Sequence, residues 1–263
     1  MRNRLFQALL AALFGFFVAS PLLADDNLVG GENFSIVDEM PDLLDDEYDD
    51  EDEYGSDGEQ VFDPLEPLNR ITFEFNDKLY FWVLKPVKTG YSYVIPEDFR
   101  LVIGNFFYNL RAPVRLVNNV LQGRFEDAGV VLSRFMINTT IGVFGFGDAA
   151  AEAFDIMPKE ADFGQTLGVY GLGRGLYICW PVFGPSNVRD SFGLAADFYM
   201  HPLTYMDVDT TASVGFFGTD YVNRLSITPD VYEEMKRISL DPYIATRQAY
   251  TDYRQNIIKN YNQ

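Results

Sequence analysis

Few residues in this chain could do chemistry. His201 is the single histidine and Cys179 the single cysteine, so a zinc site of imidazole and thiolate would have fewer ligands than zinc chemistry uses. His201 is followed by Pro202, and neither a G-x-S-x-G elbow nor an H-E-x-x-H pair occurs. A hydrolase would therefore lack its usual nucleophile and metal-bound water. Asp207 and Asp209 could share acid–base work, but they stand just before helix-patterned residues and read as a polar loop. The run G-V-Y-G-L-G-R-G-L at 168–176 has neither an apolar strand before it nor a Lys-Ser/Thr after it, as a phosphate loop requires. Its glycines read as tight turns or close backbone packing, and Arg174 within it could meet an anionic phosphate. Asp50, Asp52 and Gly55 imitate the start of a calcium loop, but Val61 occupies the place of the bidentate glutamate. Cys179, between Ile178 and Trp180, reads as a small buried apolar residue. No enzyme activity and no cofactor are expected.

The surrounding elements are helical. Asp63-Pro64 with Glu66, or Glu66-Pro67 one turn later, can open a helix. Leu68, Ile71, Phe75, Leu79 and Trp82 then mark one apolar face, Phe73, Tyr80 and Leu84 a second, and Pro86 is expected to end the helix. A second helix opens at Pro96-Glu97-Asp98 and runs to Leu110. Pro113 restarts a short one, with Val114, Val117, Val120 and Leu121 facing one way, and Gly123 stops it. Residues 125–141 are apolar nearly all round, which calls for protein core or lipid. Loops and short helical turns are expected over 142–184. Ser186-Asn187 caps a helix to Tyr199, another spans about 211–225, and a last one opens at Asp241-Pro242. Tyr243, Tyr250, Tyr253, Ile257 and Tyr261 line one side of it. Strand-type alternation is scarce, so the fold class is mainly α with little or no sheet.

Charge divides the chain. Residues 25–63 carry 17 acidic and no basic residues, whereas 64–263 carry 22 acidic and 18 basic ones. Neither part offers the basic surface that nucleic-acid phosphates need. Arg2 and Arg4, the apolar run 5–18 and Leu22-Leu23-Ala24 read as a secretory signal peptide over 1–24, cleaved after Ala24. Residues 25–62 are then an acidic, disordered linker and 63–263 the helical domain. No cysteine follows the apolar run, so acyl anchoring there is not expected. The 41 aromatic residues, 23 of them Phe, fit either an aromatic-rich soluble core or helices lying in a membrane interface.

Six blocks, in order, resemble the MlaA/VacJ family. They are D-P-L-E-P-L-N-R at 63–70, N-L-R-A-P-V-R-L-V-N-N-V-L-Q-G at 109–123, R-F-M-I-N-T-T-I-G-V-F-G-F-G-D at 134–148, F-G-Q-T-L-G-V-Y-G-L-G-R-G-L-Y at 163–177, P-V-F-G-P-S-N-V-R-D at 181–190 and D-P-Y-I-A-T-R-Q-A-Y at 241–250. The resemblance covers about 63–255. Its family-motif positions are Asp63, Pro64, Asn69, Arg70, Asn109, Pro113, Asn118, Gln122, Gly123, Arg134, Asn138, Gly142, Gly145, Gly164, Gly168, Gly171, Gly173, Arg189, Asp190, Asp241 and Pro242.

The resemblance implies a ring of amphipathic helices lying in the inner leaflet of the outer membrane around an amphipathic channel. Phospholipid mislocalised to the outer leaflet would pass through it to a periplasmic lipid-carrier protein, with a trimeric porin as neighbour. The motif residues are carried over as architectural: Asp63, Asn69 and Arg70 would fix the entrance helix, and the glycines would allow bends or close contacts. Phe163, Leu167, Arg174, Phe216 and Phe217 are the candidates for the lipid path. A lipidation cysteine, common in the family, is absent here, so attachment would rest on the apolar outer surface and the porin. A porin-associated structural protein and a secreted lipid hydrolase are the competing readings.

Overall fold

The computed structural model describes residues 61–206 and 209–261. The expected signal peptide, nearly all of the acidic linker, and Asp207 lie outside them. Eleven α-helices, a π-helical turn, a 3-10 turn over Pro202–Tyr205 and one hairpin occur in the described residues. The α-helices and strands are α1 (Glu66–Leu79), α2 (Lys85–Val94), α3 (Glu97–Leu110), α4 (Ala112–Leu121), α5 (Phe125–Thr140), α6 (Ala149–Phe154), α7 (Phe163–Val169), β1 (Tyr177–Trp180), β2 (Gly184–Asn187), α8 (Val188–Met200), α9 (Thr210–Ile227), α10 (Val231–Ile238) and α11 (Pro242–Tyr261). The two strands pair antiparallel, Tyr177 opposite Asn187 and Trp180 opposite Gly184.

Two expectations at the first helix are corrected. Asp63 does not cap it: the N-terminus receives no side-chain cap, because the Asp63 carboxylate is taken by Asn69, Tyr243 and Arg247. Nor does Pro86 end it. A π-helical turn over Tyr80–Leu84 links α1 directly to α2, with Pro86 just past the place where the helical hydrogen-bond spacing changes. The hairpin and α10 were not foreseen. The strands are four residues each, too short for alternation to register.

Much of the expected apolar striping on the first helix, α4 and α5 faces outward, although Val114 of the α4 stripe and Tyr243 and Tyr250 of the α11 stripe are buried. Leu68, Ile71, Phe75 and Trp82 on the first helix are exposed, Trp82 at 76%. So are Val117, Val120 and Leu121 on α4, and Phe125, Leu132 and Met136 on α5. The side of α1 that packs inward carries Asn69, Phe73 and Asn76, continuing to Tyr80 and Leu84. Among the described residues, more of the fully buried side chains are polar or charged than hydrophobic. The two small apolar clusters inside are Phe217, Tyr221 and Leu225 on α9, and Tyr177, Cys179, Tyr243 and Tyr250 between the hairpin and α11.

Candidate functional site

With the greasy faces turned out, polar side chains hold the elements together at three places. At the first, α1 docks on the hairpin through two asparagines seven residues apart. The Asn69 amide donates to Tyr177 O (3.2 Å) and accepts from Cys179 N–H (2.8 Å). Asn76 repeats this on Trp180 O (2.9 Å) and Val182 N–H (2.5 Å). Seven helical residues rise about 10.5 Å and three strand residues about 10 Å, so the two asparagines satisfy the backbone of β1 and its turn as a neighbouring strand would. Asp63 joins this point to α11 through Tyr243 and Arg247. Arg70 bridges Glu66 and Asp241, each at 2.8 Å. Burial pushes the Cys179 thiol up to about 12, so it stays a protonated packing residue.

The second place joins α4, α7, α8 and α11. The Arg254 guanidinium, fully enclosed, is forked onto Asp162 (2.5 and 2.9 Å) and onto Asp190 (3.0 and 3.1 Å). Asp190 also accepts from Arg189 Nε (2.9 Å), Asn187 Nδ2 (2.7 Å) and Tyr250 Oη (2.7 Å). Burial alone would raise its carboxyl, but the Arg254 and Arg189 charges outweigh that and hold it at about 2. Asn118 donates to Asp197 (2.9 Å) and accepts from Thr166 (3.0 Å), whose hydroxyl in turn accepts from Gln122 (2.9 Å). Gly164 and Gly193 let α7 and α8 meet here: a Cβ on Gly193 would stand 2.3 Å from the Gly164 nitrogen.

At the third place Arg134 donates to Asp148 (2.7 Å) and to Ile156 O, while Asn138 bonds Asp148 (2.9 Å) and accepts from Ala150 N–H (2.8 Å). Gly145, at φ +88°, lies so close to Asn109 that an added Cβ would be 2.6 Å from it. Pro113 and Pro242 stand in the first turns of α4 and α11, and Gly123 follows α4 at φ +75°. Pro64 is exposed ahead of α1. A Cβ on Gly142 would strike Gly147 O at 2.2 Å, and one on Gly168 would strike Ile258 at 2.5 Å. Gly171 has φ +83° in open space, whereas Gly173 shows neither a positive φ nor a close neighbour.

The lipid-path candidates are spread over separate elements. Phe163 and Leu167 on α7, Arg174 in the glycine loop and Phe216 on α9 are half-buried. Phe217 is buried against Tyr221, Leu225 and Phe198. Sequence reasoning missed Asn76, Asp162, Asp197, Gly193 and Arg254. Asp162 had a local signal, since its carboxylate caps α7 by accepting from Gln165 N–H. Arg254 lies four residues beyond Tyr250, on the side of α11 that the tyrosine stripe marked.

These groups are paired rather than poised for reaction. His201 packs on Phe217 at 5.5 Å between ring centroids, and its Nδ1 accepts from Leu203 N–H. Burial, aided by Arg111, brings the imidazole down to about 4. Among the described residues no group of three metal-ligating side chains occurs, and no helix is long and apolar enough to cross a membrane.

Asp197 sets a pH dependence. Burial first, then Asp162, raises its carboxyl to about 8 against the pull of Phe163 N–H, Asn118 and Arg254. The folded chain thus holds a proton that the unfolded chain has lost above about 4, and stability falls with rising pH between those values. His201 acts oppositely between about 4 and 6.5, where the unfolded chain binds the extra proton. Above 6.5, of these two groups only Asp197 still changes the balance, so stability should keep falling from pH 6.5 to 8. Asp197→Asn, which resembles the protonated acid, should flatten that segment in denaturant titrations at several pH values. An unchanged slope would show that Asp197 is ionised in the fold.

Comparisons with known proteins identify the family of the chain. Residues 61–257 match the family model of the MlaA lipoprotein. The chain is 34% identical to the intermembrane phospholipid transport system lipoprotein MlaA of Escherichia coli K12 over 209 residues, 78% of this chain and 82% of that protein. It is 31% identical to the protein of the same name from Haemophilus influenzae, covering 72% and 76%. A solved structure described as the structural basis for maintenance of bacterial outer membrane lipid asymmetry superposes with a TM-score of 0.65 at 33% identity, covering 74% of this chain and 98% of that one. By sequence and by fold, this chain belongs to the MlaA lipoprotein family.

Proposed function

We propose that this protein moves phospholipid across the bacterial envelope. It takes lipid mislocalised to the outer leaflet of the outer membrane through an amphipathic passage and yields it to a periplasmic carrier. The helices lie as a ring in the inner leaflet, beside a trimeric porin, and no cofactor is needed. The observation that carries this reading is that apolar stripes on the first helix, α4 and α5 are left exposed while many polar and charged side chains are buried. In water, each large side chain left exposed forgoes about 1.5–3 kcal/mol of burial. Against acyl chains that loss disappears. Helices in lipid have no hydrophobic drive toward each other and are held instead by close packing and polar bonds, which describes the three polar junctions and the Gly164–Gly193 contact. A polar interior also lowers the cost of moving a charged headgroup past the apolar leaflet.

The protein should stay with outer membranes through high salt and leave with detergent. Purified, it should carry phospholipid and surrender it to a periplasmic acceptor, and cells lacking it should accumulate phospholipid in the outer leaflet. Phe75→Glu with Trp82→Glu should weaken membrane association, whereas the same change on a water-exposed face would raise solubility and leave partition unaltered. Release by salt alone would remove the lipid-facing surface. Porin binding with no change in outer-leaflet phospholipid would leave a structural role in place of transport.

A further inference from the structure

The short helix α10 is fastened to its neighbours largely by charge. None of its eight residues is buried. Opposite it lies the π-helical turn, with the flanking ends of α1 and α2. Glu233 accepts from Tyr80 Oη (2.9 Å) and pairs with Lys85 (2.7 Å). Asp230, in the N-cap position, bonds Lys88 and Tyr80 Oη (3.4 Å) and leaves its own helix without a side-chain cap. In the other direction, Asp77 of α1 accepts from Tyr232 Oη (2.8 Å) and Lys236 (2.5 Å). The Lys236 and Lys85 ammonium groups stand 4.5 and 5.5 Å from the centre of the Phe81 ring. The aromatic contact of α10 is Tyr232, whose ring lies 5.4–6.4 Å from those of Phe73, Tyr80 and Phe81.

A helix of eight residues does not hold by itself in water, and α10 lacks the side-chain cap that would help it. Its helical state therefore depends on docking. The docking charges are themselves open to solvent: the Lys85, Asp230 and Lys236 side chains are 44, 54 and 37% exposed. Ion pairs at that exposure are weakened by salt. The segment is meanwhile tied down at both ends by contacts in which α10 takes no part. Before it, Asn223 and Ser226 of α9 bond Arg100 on α3. After it, Asp241 is held by Arg70 (2.8 Å). The helix between these anchors can come away and leave them in place.

We propose that α10 is a releasable strap. It lies on the π-helical turn as a helix while its acids hold Lys85, Lys88 and Tyr80, and it melts locally, with the rest of the domain intact, when those charges are screened. Opening withdraws Tyr232 and uncovers the Tyr80 and Phe81 rings on the side of the turn that α10 covers.

Amide hydrogen exchange of the full chain in non-ionic detergent, at fixed pH, reads the strap directly. Peptides covering 231–238 should exchange about tenfold faster at about 1 M salt than at about 0.01 M, a range over which the screening length falls from about 30 to about 3 Å. Those of α1 and α8 should keep their rates. Glu233→Gln should bring α10 at low salt close to its high-salt rate and leave little further response. Lys85→Glu should do the same, and Lys85→Glu combined with Glu233→Lys should recover much of the protection, because the pair is rebuilt with its charges exchanged. Protection of α10 equal to that of α1 at every salt concentration would overturn the strap. So would a common acceleration of all helices, which is unfolding of the domain, or fast exchange of α10 that neither salt nor substitution alters, which leaves no docked state. Tyr232→Ala freeing α10 where Glu233→Gln does not would assign the attachment to the aromatic contact and overturn the ionic one.

Discussion

Gly193→Ala is expected to destabilise the protein strongly. The added Cβ would lie 2.3 Å from the Gly164 nitrogen and 2.6 Å from its Cα, and real side-chain carbons do not approach backbone so closely. A flexible side chain could swing aside, but here two helix backbones face each other, so α7 and α8 must separate. Separation pulls Asp162 on one side from Asp190 on the other, both of which share Arg254. Overpacking commonly costs about 1–3 kcal/mol, and the coupled loss of the ion cluster places this variant at or beyond the upper end. Yield and thermal midpoint in detergent measure it. A midpoint near that of wild type would show that the α7–α8 contact has room for a methyl group.

Arg254→Met is the second large effect. The arginine is buried and answers the buried Asp190 and the half-buried Asp162 through all three nitrogens. Its removal leaves Asp162 and Asp190 facing each other with less positive charge, Arg189 remaining beside Asp190. Breaking a buried pair by removing one partner typically costs about 3–5 kcal/mol, a large share of the roughly 5–15 kcal/mol that holds a domain folded. Lysine at 254 should recover part of the charge but not the double fork, and should fall between wild type and methionine. Adding Asp162→Asn and Asp190→Asn to Arg254→Met should restore some stability, because the uncompensated charges are then gone. Denaturant titration of the series checks this ordering. A methionine variant within about 1 kcal/mol of wild type would mean that water already reaches the cluster.

The helices were legible from the sequence because their caps, prolines and periodicity are local. Pro96-Glu97 opens α3, Asn187 caps α8 by accepting from Asp190 N–H, and Gly123 follows α4 at φ +75°. The Asp63 cap and the Pro86 stop failed because tertiary partners overrode them. The carboxylate of Asp63 binds residues 180 and 184 positions away, and the π-helical turn before Pro86 carries the chain straight through it. The junction residues were half visible. Asn69, Asn118, Gln122, Arg134, Asn138 and Asp190 stood out by resemblance, whereas Asn76, Asp197, Gly193 and Arg254 acquire meaning only from what they touch.

The amino-acid order by itself determined the helical class, the family, and the amphipathic stripes at three- and four-residue steps. What it did not determine was the side of each stripe that faces the protein. Periodicity records that one face differs from the other, and that signal is the same whether the apolar face meets a core or a bilayer. Tertiary structure decided it by placing Asn69 and Asn76 against the hairpin backbone and Arg254 between Asp162 and Asp190. Buried polar groups must find partners. Those partners come from distant parts of the chain, so the direction of each helix face is fixed only when the whole chain is assembled.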